Sequence, residues 1–74
     1  MQRREYEELA GQIDLVVVGD ELRAYFWPWS TGGMPSPYAR ASTEVPRAAW
    51  HDAWRWVEDE FVPRIRAGAT GQPQ

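Results

Sequence analysis

The sequence predicts a small α+β domain: a β-hairpin, with room for a short third strand, packed against one long C-terminal amphipathic helix, with a short N-terminal helix at the edge. Three observations carry that prediction. A β-branched run over residues 13–18 meets Gly19-Asp20 and a second apolar segment; Trp50, Trp54, Val57, Phe61 and Ile65 recur at helical spacing; and 74 residues leave room for one modest core. Residues 1–68 are expected to form the domain. Residues 69–74, Ala-Thr-Gly-Gln-Pro-Gln, have nothing to bury and read as a disordered tail.

Taken in order, residues 2–10 read as the short helix. Tyr6, Leu9 and Ala10 share one side, Arg3–Glu7 and Arg4–Glu8 fall at i,i+4, and Gly11 is a natural stop. Under three turns long, such a helix persists only if Tyr6 and Leu9 dock on the rest of the domain.

The hairpin follows. With Gly19-Asp20 as a two-residue type II′ turn, Val17 sits opposite Leu22, Leu15 opposite Ala24 and Ile13 opposite Phe26, which makes one face wholly apolar. The other face carries Asp14, Val16, Val18, Glu21, Arg23, Tyr25 and Trp27, a mixture suited to partial exposure or contact. Pro28 has no N–H to give a ladder and should end the second strand or leave it at an edge.

Residues 30–37, Ser-Thr-Gly-Gly-Met-Pro-Ser-Pro, have the composition of an exposed loop. Residues 38–41 allow the short third strand on one tyrosine and a local lack of breakers. Ser42 or Thr43 suits the N-cap of the long helix, with Glu44 at its positive end and Pro46 in its first turn, so the helix should begin near Val45. Its Trp50-to-Ile65 stripe is the core side. Pro63 removes a backbone hydrogen bond inside that pattern and should kink or separate the last turn, and Gly68 ends it.

Composition narrows the function. The chain has no cysteine, hence no disulfide framework or thiolate zinc site, and no apolar run near the roughly 18 residues that a membrane span needs. A cytoplasmic location is the expectation. A net charge of −3 argues against a domain that works by neutralising phosphates. All eight basic residues are arginine, whose planar five-donor head suits interfaces.

Catalytic chemistry finds little support. His51 is the sole histidine. Its neighbour Asp52 lies about 100° around a helix, poorly placed to orient the ring, and the i+4 position holds Arg55. Glu58, Asp59 and Glu60 point in three directions, and Glu60–Arg64 reads as an ordinary i,i+4 pair. Ser30-Thr31-Gly32-Gly33 lacks the lysine and glycine spacing of a phosphate loop. No enzyme activity, metal or cofactor is expected.

The aromatics carry the functional reading. Alternation sends Phe26 inward while Tyr25, Trp27 and Trp29 share the opposite face, flanked by Arg23 and Arg40, an arrangement of the kind that anchors protein interfaces. Trp56 lies about 120° from the core stripe beside Ala49, Ala53 and Glu60, as a covered residue or as an interface residue. The expectation is therefore a non-enzymatic protein-binding module whose contact residues are Trp56, Tyr25, Trp27, Trp29 and Arg23, bound to another protein or to itself as a homodimer. Small size and aromatic richness alone associate such a chain with accessory proteins of phages and mobile elements that inhibit a host protein. The rival expectation is a small-ligand or single-stranded nucleic-acid binder using the same aromatics with Arg23, Arg40 and Arg47.

Overall fold

A computed structural model describes residues 1–30 and 37–68. It shows an α+β architecture: four antiparallel strands in the order β1-β2-β3-β4, covered on one face by a C-terminal helical run. The strands are β1 (Gln2–Tyr6), β2 (Gly11–Val18), β3 (Glu21–Pro28) and β4 (Ala41–Glu44). A single 3-10 turn, Glu7–Leu9, joins β1 to β2 and closes with Ala10 in the left-handed region at φ 53°.

The hairpin forms in the register its alternation dictates, with Val17 opposite Leu22, Leu15 opposite Ala24 and Ile13 opposite Phe26. Gly19 supplies the positive φ, 63°, that the first central position of a type II′ turn requires. The inward face seals the core: Ile13, Leu15, Ala24 and Phe26 are buried against Val45, Val57, Phe61 and Val62. Each large apolar side chain so buried contributes about 1.5–3 kcal/mol. Gly11 is needed where it stands, because a Cβ there would lie 2.5 Å from Phe26 Cε1 and 2.6 Å from the Trp27 carbonyl oxygen. It opens β2 and does not stop a helix.

The N-terminal segment corrects the sequence expectation. Residues 2–6 are an edge strand, not a helix, paired along β2 from Gln2 opposite Leu15 to Tyr6 opposite Gly11. Neither the Arg3–Glu7 nor the Arg4–Glu8 pair forms. Arg3 instead binds Asp14 across the ladder, Arg4 binds Glu58 of the helical run at 3.1 Å, and Glu8 binds Arg66. These tertiary partners, together with five paired residues, outcompete a helix too short to hold by itself.

The C-terminal strand is corrected likewise. The third strand expected at residues 38–41 lies at Ala41–Glu44 as the fourth strand of the sheet, and Tyr38 is 80% exposed. Ser42 and Thr43 therefore do not cap the helix. They pair with Tyr25 and Ala24, and the ladder runs on through Val45 N–H to the Leu22 carbonyl at 2.7 Å. The helical run begins only after Pro46, which has extended backbone at φ −57°, ψ 143°.

From there the chain is 3-10 over Arg47–Asp52, α over Ala53–Trp56 (α1), π over Val57–Phe61 and α over Val62–Arg66 (α2). The π-turn is the structure's answer to Pro63. An α-helical proline clashes with the carbonyl four residues back, here Asp59, and widening the preceding turn relieves that clash without breaking the helix. Gly68, at φ 68°, ends the run as expected. The loop expected at residues 30–37 and the tail at 69–74 lie largely or wholly outside the described residues.

Candidate functional site

The sheet has two faces of different character. Alternation along each strand sends Gln2, Arg4 and Tyr6, Ile13 and Leu15, Ala24 and Phe26 toward the helical layer. Arg3 and Glu5, Gln12 and Asp14, Arg23, Tyr25 and Trp27, Ser42 and Glu44 go to the other side. Among the described residues, no helix or strand lies over that second face.

Four of the five contact residues expected from sequence meet there. The Tyr25 and Trp27 rings are 6.1 Å apart and tilted by 32°, within the range of favourable aromatic pairs. The Arg23 guanidinium stands 5.9 Å from the Tyr25 ring and hydrogen-bonds Glu21 at 3.1 Å and Ser42 Oγ at 3.4 Å. Its pKa is raised above the ordinary value, first by the Glu21 hydrogen bond and also by Tyr25, against a smaller opposing desolvation. Trp29 continues the line, its Nε1 donating to Gln12 Oε1 at 3.4 Å and its backbone N–H to the Ala10 carbonyl at 2.8 Å. All three rings are half-buried.

Beneath the ridge lies a polar layer that alternation alone would have placed in water. Gln12 and Asp14 are 4% and 5% exposed. Asp14 is held by Arg3 through two bonds, Nε to Oδ1 at 2.9 Å and Nη2 to Oδ2 at 3.3 Å, a forked geometry that fixes both partners. This corrects the expectation of Asp14 on a partly exposed surface. Next to it, Trp27 Nε1 is buried and has no hydrogen-bond acceptor among the described residues, an unsatisfied donor of a kind native structures keep to a few.

Trp56, the fifth expected residue, is elsewhere. It belongs to α1, in the layer on the opposite side of the sheet, packs partly buried against the core, and faces Arg64 at 5.8 Å. Arg64 is thus engaged by a ring and not by Glu60, and the i,i+4 ion pair on this part of the helix is Arg55–Asp59, well exposed at 3.6 Å. Trp56 also borders a shallow depression of about 510 Å³ with Pro46, Ala49 and Glu60.

Arg40 and Arg47 are likewise on the helical side. Arg40 lines a cavity of about 380 Å³ with Leu9, Phe26 and Ile65, and Arg47 stacks on Trp50 at 4.4 Å. Neither extends the basic character of the aromatic face, so the flanking role expected of Arg40 falls away. The core-stripe tryptophans Trp50 and Trp54 turn out to be tethers as well as packing: Trp50 Nε1 donates to the Val45 carbonyl at 2.9 Å and Trp54 Nε1 to Gln2 Oε1 at 2.7 Å.

His51 is exposed at a groove of about 400 Å³ lined by Leu15, Val17, Leu22, Trp50 and Trp54. Among the described residues, no three His, Asp or Glu side chains gather as metal ligands, and no helix is long and apolar enough to cross a membrane. Comparison with protein-family models, with curated proteins and with solved structures finds no match for this chain.

Proposed function

We propose that this chain is a non-enzymatic protein-binding module whose contact surface is the open sheet face, with Tyr25, Trp27, Trp29 and Arg23 as its anchors. The observation that carries the proposal is the ridge itself. Three half-buried aromatic rings stand on a face without a covering element among the described residues, on a β-strand, beside a buried Asp14 held by the half-exposed Arg3. Aromatic and arginine side chains held in one geometry lose little conformational freedom on binding, which is why such groups dominate interface energetics. Trp56 stands outside this surface, as a packing residue of the helical layer.

The rival, binding of single-stranded nucleic acid, needs cations convergent on the rings. Arg47 stacks on Trp50 on the helical side, and Arg3 and Arg23 are already paired with Asp14 and Glu21. That distribution favours a protein partner. Blocking a host protein is one use of such a surface, tested by adding the chain to the activity of whatever protein it retains.

The test compares the immobilised chain with Tyr25→Ala and Trp56→Ala, each checked for folding by circular dichroism, in retaining proteins at low and high salt and a labelled oligothymidylate in parallel. The expected result is a protein retained at high salt by the wild type and by Trp56→Ala, and lost by at least about tenfold with Tyr25→Ala. Retention unaffected by Tyr25→Ala, or binding of the oligonucleotide that falls steeply with salt, overturns the proposal.

A further inference from the structure

The sheet's first edge is charged in a pattern that selects a partner. In a two-residue hairpin the flanking residues exchange both hydrogen bonds, so Val18 and Glu21 form such a pair and Gln12, Asp14 and Val16 of β2 likewise turn their backbone groups toward β3. Two bonds outside the hairpin agree with this phase: Trp29 N–H to the Ala10 carbonyl and Val45 N–H to the Leu22 carbonyl. Gly11, Ile13 and Leu15 then turn toward β1, where they meet Tyr6, Arg4 and Gln2. Arg3 and Glu5 are left with N–H and C=O groups directed away from the sheet, along an edge that no strand among the described residues covers.

We infer that β1 pairs antiparallel with β1 of a second copy of this chain, about a two-fold axis through Arg4, to form a continuous eight-stranded sheet. Within β1 only Arg3 and Glu5 turn their backbone groups to the edge and away from every strand among the described residues, so the symmetric registers are few. Centring on Arg3 sets Arg3 against Arg3, and centring on Glu5 sets Glu5 against Glu5. Centring on Arg4 sets each Arg3 opposite Glu5 of the second copy, twice, with the backbone groups of both residues hydrogen-bonded and the half-exposed Arg3 guanidinium, bound to Asp14 through Nε and Nη2, left with Nη1 for Glu5. Opposite charges directly across a ladder stabilise it and like charges destabilise it, so the alternation selects that one register. Charged edges commonly prevent pairing, but here the charges alternate in sign and are self-complementary.

Arg4 meets Arg4 of the second copy at the axis. Each guanidinium is drawn back over its own helix, 4.6 Å from the Trp54 ring and 3.1 Å from Glu58, which neutralises the like-charge contact. The other edge, β4, offers Ser42 and Glu44, whose symmetric pairing brings no opposite charges together, and Pro46 follows closely.

A two-fold axis perpendicular to the sheet leaves both helical layers on one side and both aromatic faces on the other. The two β3 strands are then five strand spacings apart, about 24 Å at roughly 4.8 Å each. The dimer is a bivalent surface. It does not depend on the protein-binding proposal, since its test reads mass and the other test reads retention.

The test is sedimentation equilibrium of the whole chain from micromolar to sub-millimolar concentration, beside Glu5→Pro and Glu5→Lys. Proline at residue 5 removes an N–H that faces away from β2 and leaves the internal ladder intact. Lysine there sets two cations opposite one another on both sides of the axis. The expected result is a wild-type dimer whose dissociation constant rises about tenfold or more in each variant with unchanged circular dichroism. A monomeric wild type overturns the inference, as does a dimer that survives substitution. Should Glu5→Pro lose its folded spectrum, Glu5→Lys alone decides.

Discussion

The helix-covered face and the open face of this one sheet are built by opposite means. On the covered face Ile13, Leu15, Ala24 and Phe26 exclude water with apolar volume, and shape does the holding. On the open face the residues next to them in sequence, Gln12, Asp14, Tyr25 and Trp27, are buried or half-buried, and their contacts are polar and aromatic: the Arg3–Asp14 ion pair, the Trp29 indole bond to Gln12 and the tilted Tyr25–Trp27 ring pair. A strand of period two thus serves a core and an adhesive surface at once, and the difference teaches where stability resides and where it can be given up for contact. Even the covered face has a limit: Val17 points the same way as Ile13 but is 69% exposed beyond the end of the helical layer.

The largest break in this comparison is Phe26→Ala. Phe26 is 1% exposed, touches the core, and backs onto Gly11, so truncation leaves a cavity that the flanking ladder cannot close. A loss of about 3–5 kcal/mol is expected, read from the midpoint of urea unfolding at unchanged slope. For a domain of this size that approaches its whole stability.

Asp14→Ala strikes the open face and should cost less, about 1–3 kcal/mol, because Arg3 can turn its guanidinium into water once its partner is gone. The Arg3 side chain is already 48% exposed, whereas that of Asp14 is 6% exposed. The outcome also sharpens the functional reading: with Arg3 released, retention of a partner by the Tyr25 ridge should weaken although no anchor has been touched. If unfolding shows a cost as large as that of Phe26→Ala, the polar layer is a second core and not a support for a surface.

How far the sequence revealed this arrangement follows from the range of the interactions. The hairpin was legible to the residue because a two-residue turn and period-two alternation are local. Tyr25, Trp27, Trp29 and Arg23 were assembled on one face by the same logic. The Trp50-to-Ile65 stripe was legible for similar reasons, but the effect of Pro63 was not: the last turn expected to kink or separate continues as α2, and the disturbance falls before the proline as the π-turn over Val57–Phe61. β1 was not, because Arg3-Arg4-Glu5 and Glu7-Glu8 satisfy both the i,i+4 spacing of a helix and the alternation of an edge strand. The partners that decide between them, Asp14 and Glu58, lie 11 and 54 residues from Arg3 and Arg4. The same ambiguity hid β4, where Ser42 and Thr43 suit a helix cap as well as a polar edge. Losing β1 also hid the burial of Asp14, because Arg3 reaches it only across the β1–β2 ladder.

The smallest effect sought lies where the two faces meet the edge, at Tyr6. Its hydroxyl donates to Glu58 Oε2 at 3.2 Å, and Arg4 holds the same oxygen. Burial first, then the Glu58 charge and hydrogen bond, raise the Tyr6 pKa above its ordinary 10.0, while Arg4 opposes them. A phenol that keeps its proton more tightly when folded contributes stability present in full below pH 10.0 and lost as pH climbs through the folded value, because the unfolded chain ionises first. Tyr6→Phe should therefore lower stability by only about 0.5–1.5 kcal/mol at neutral pH, the ordinary net worth of one hydrogen bond. Above pH 10.0 the variant should close the gap on the wild type, since it has no proton to lose there. Urea unfolding of both proteins across that range reads the convergence. A gap that stays constant with pH would mean that the Tyr6–Glu58 bond does not hold β1 to the helical run, and that the edge is fixed by Arg3–Asp14, Arg4–Glu58 and Trp54–Gln2.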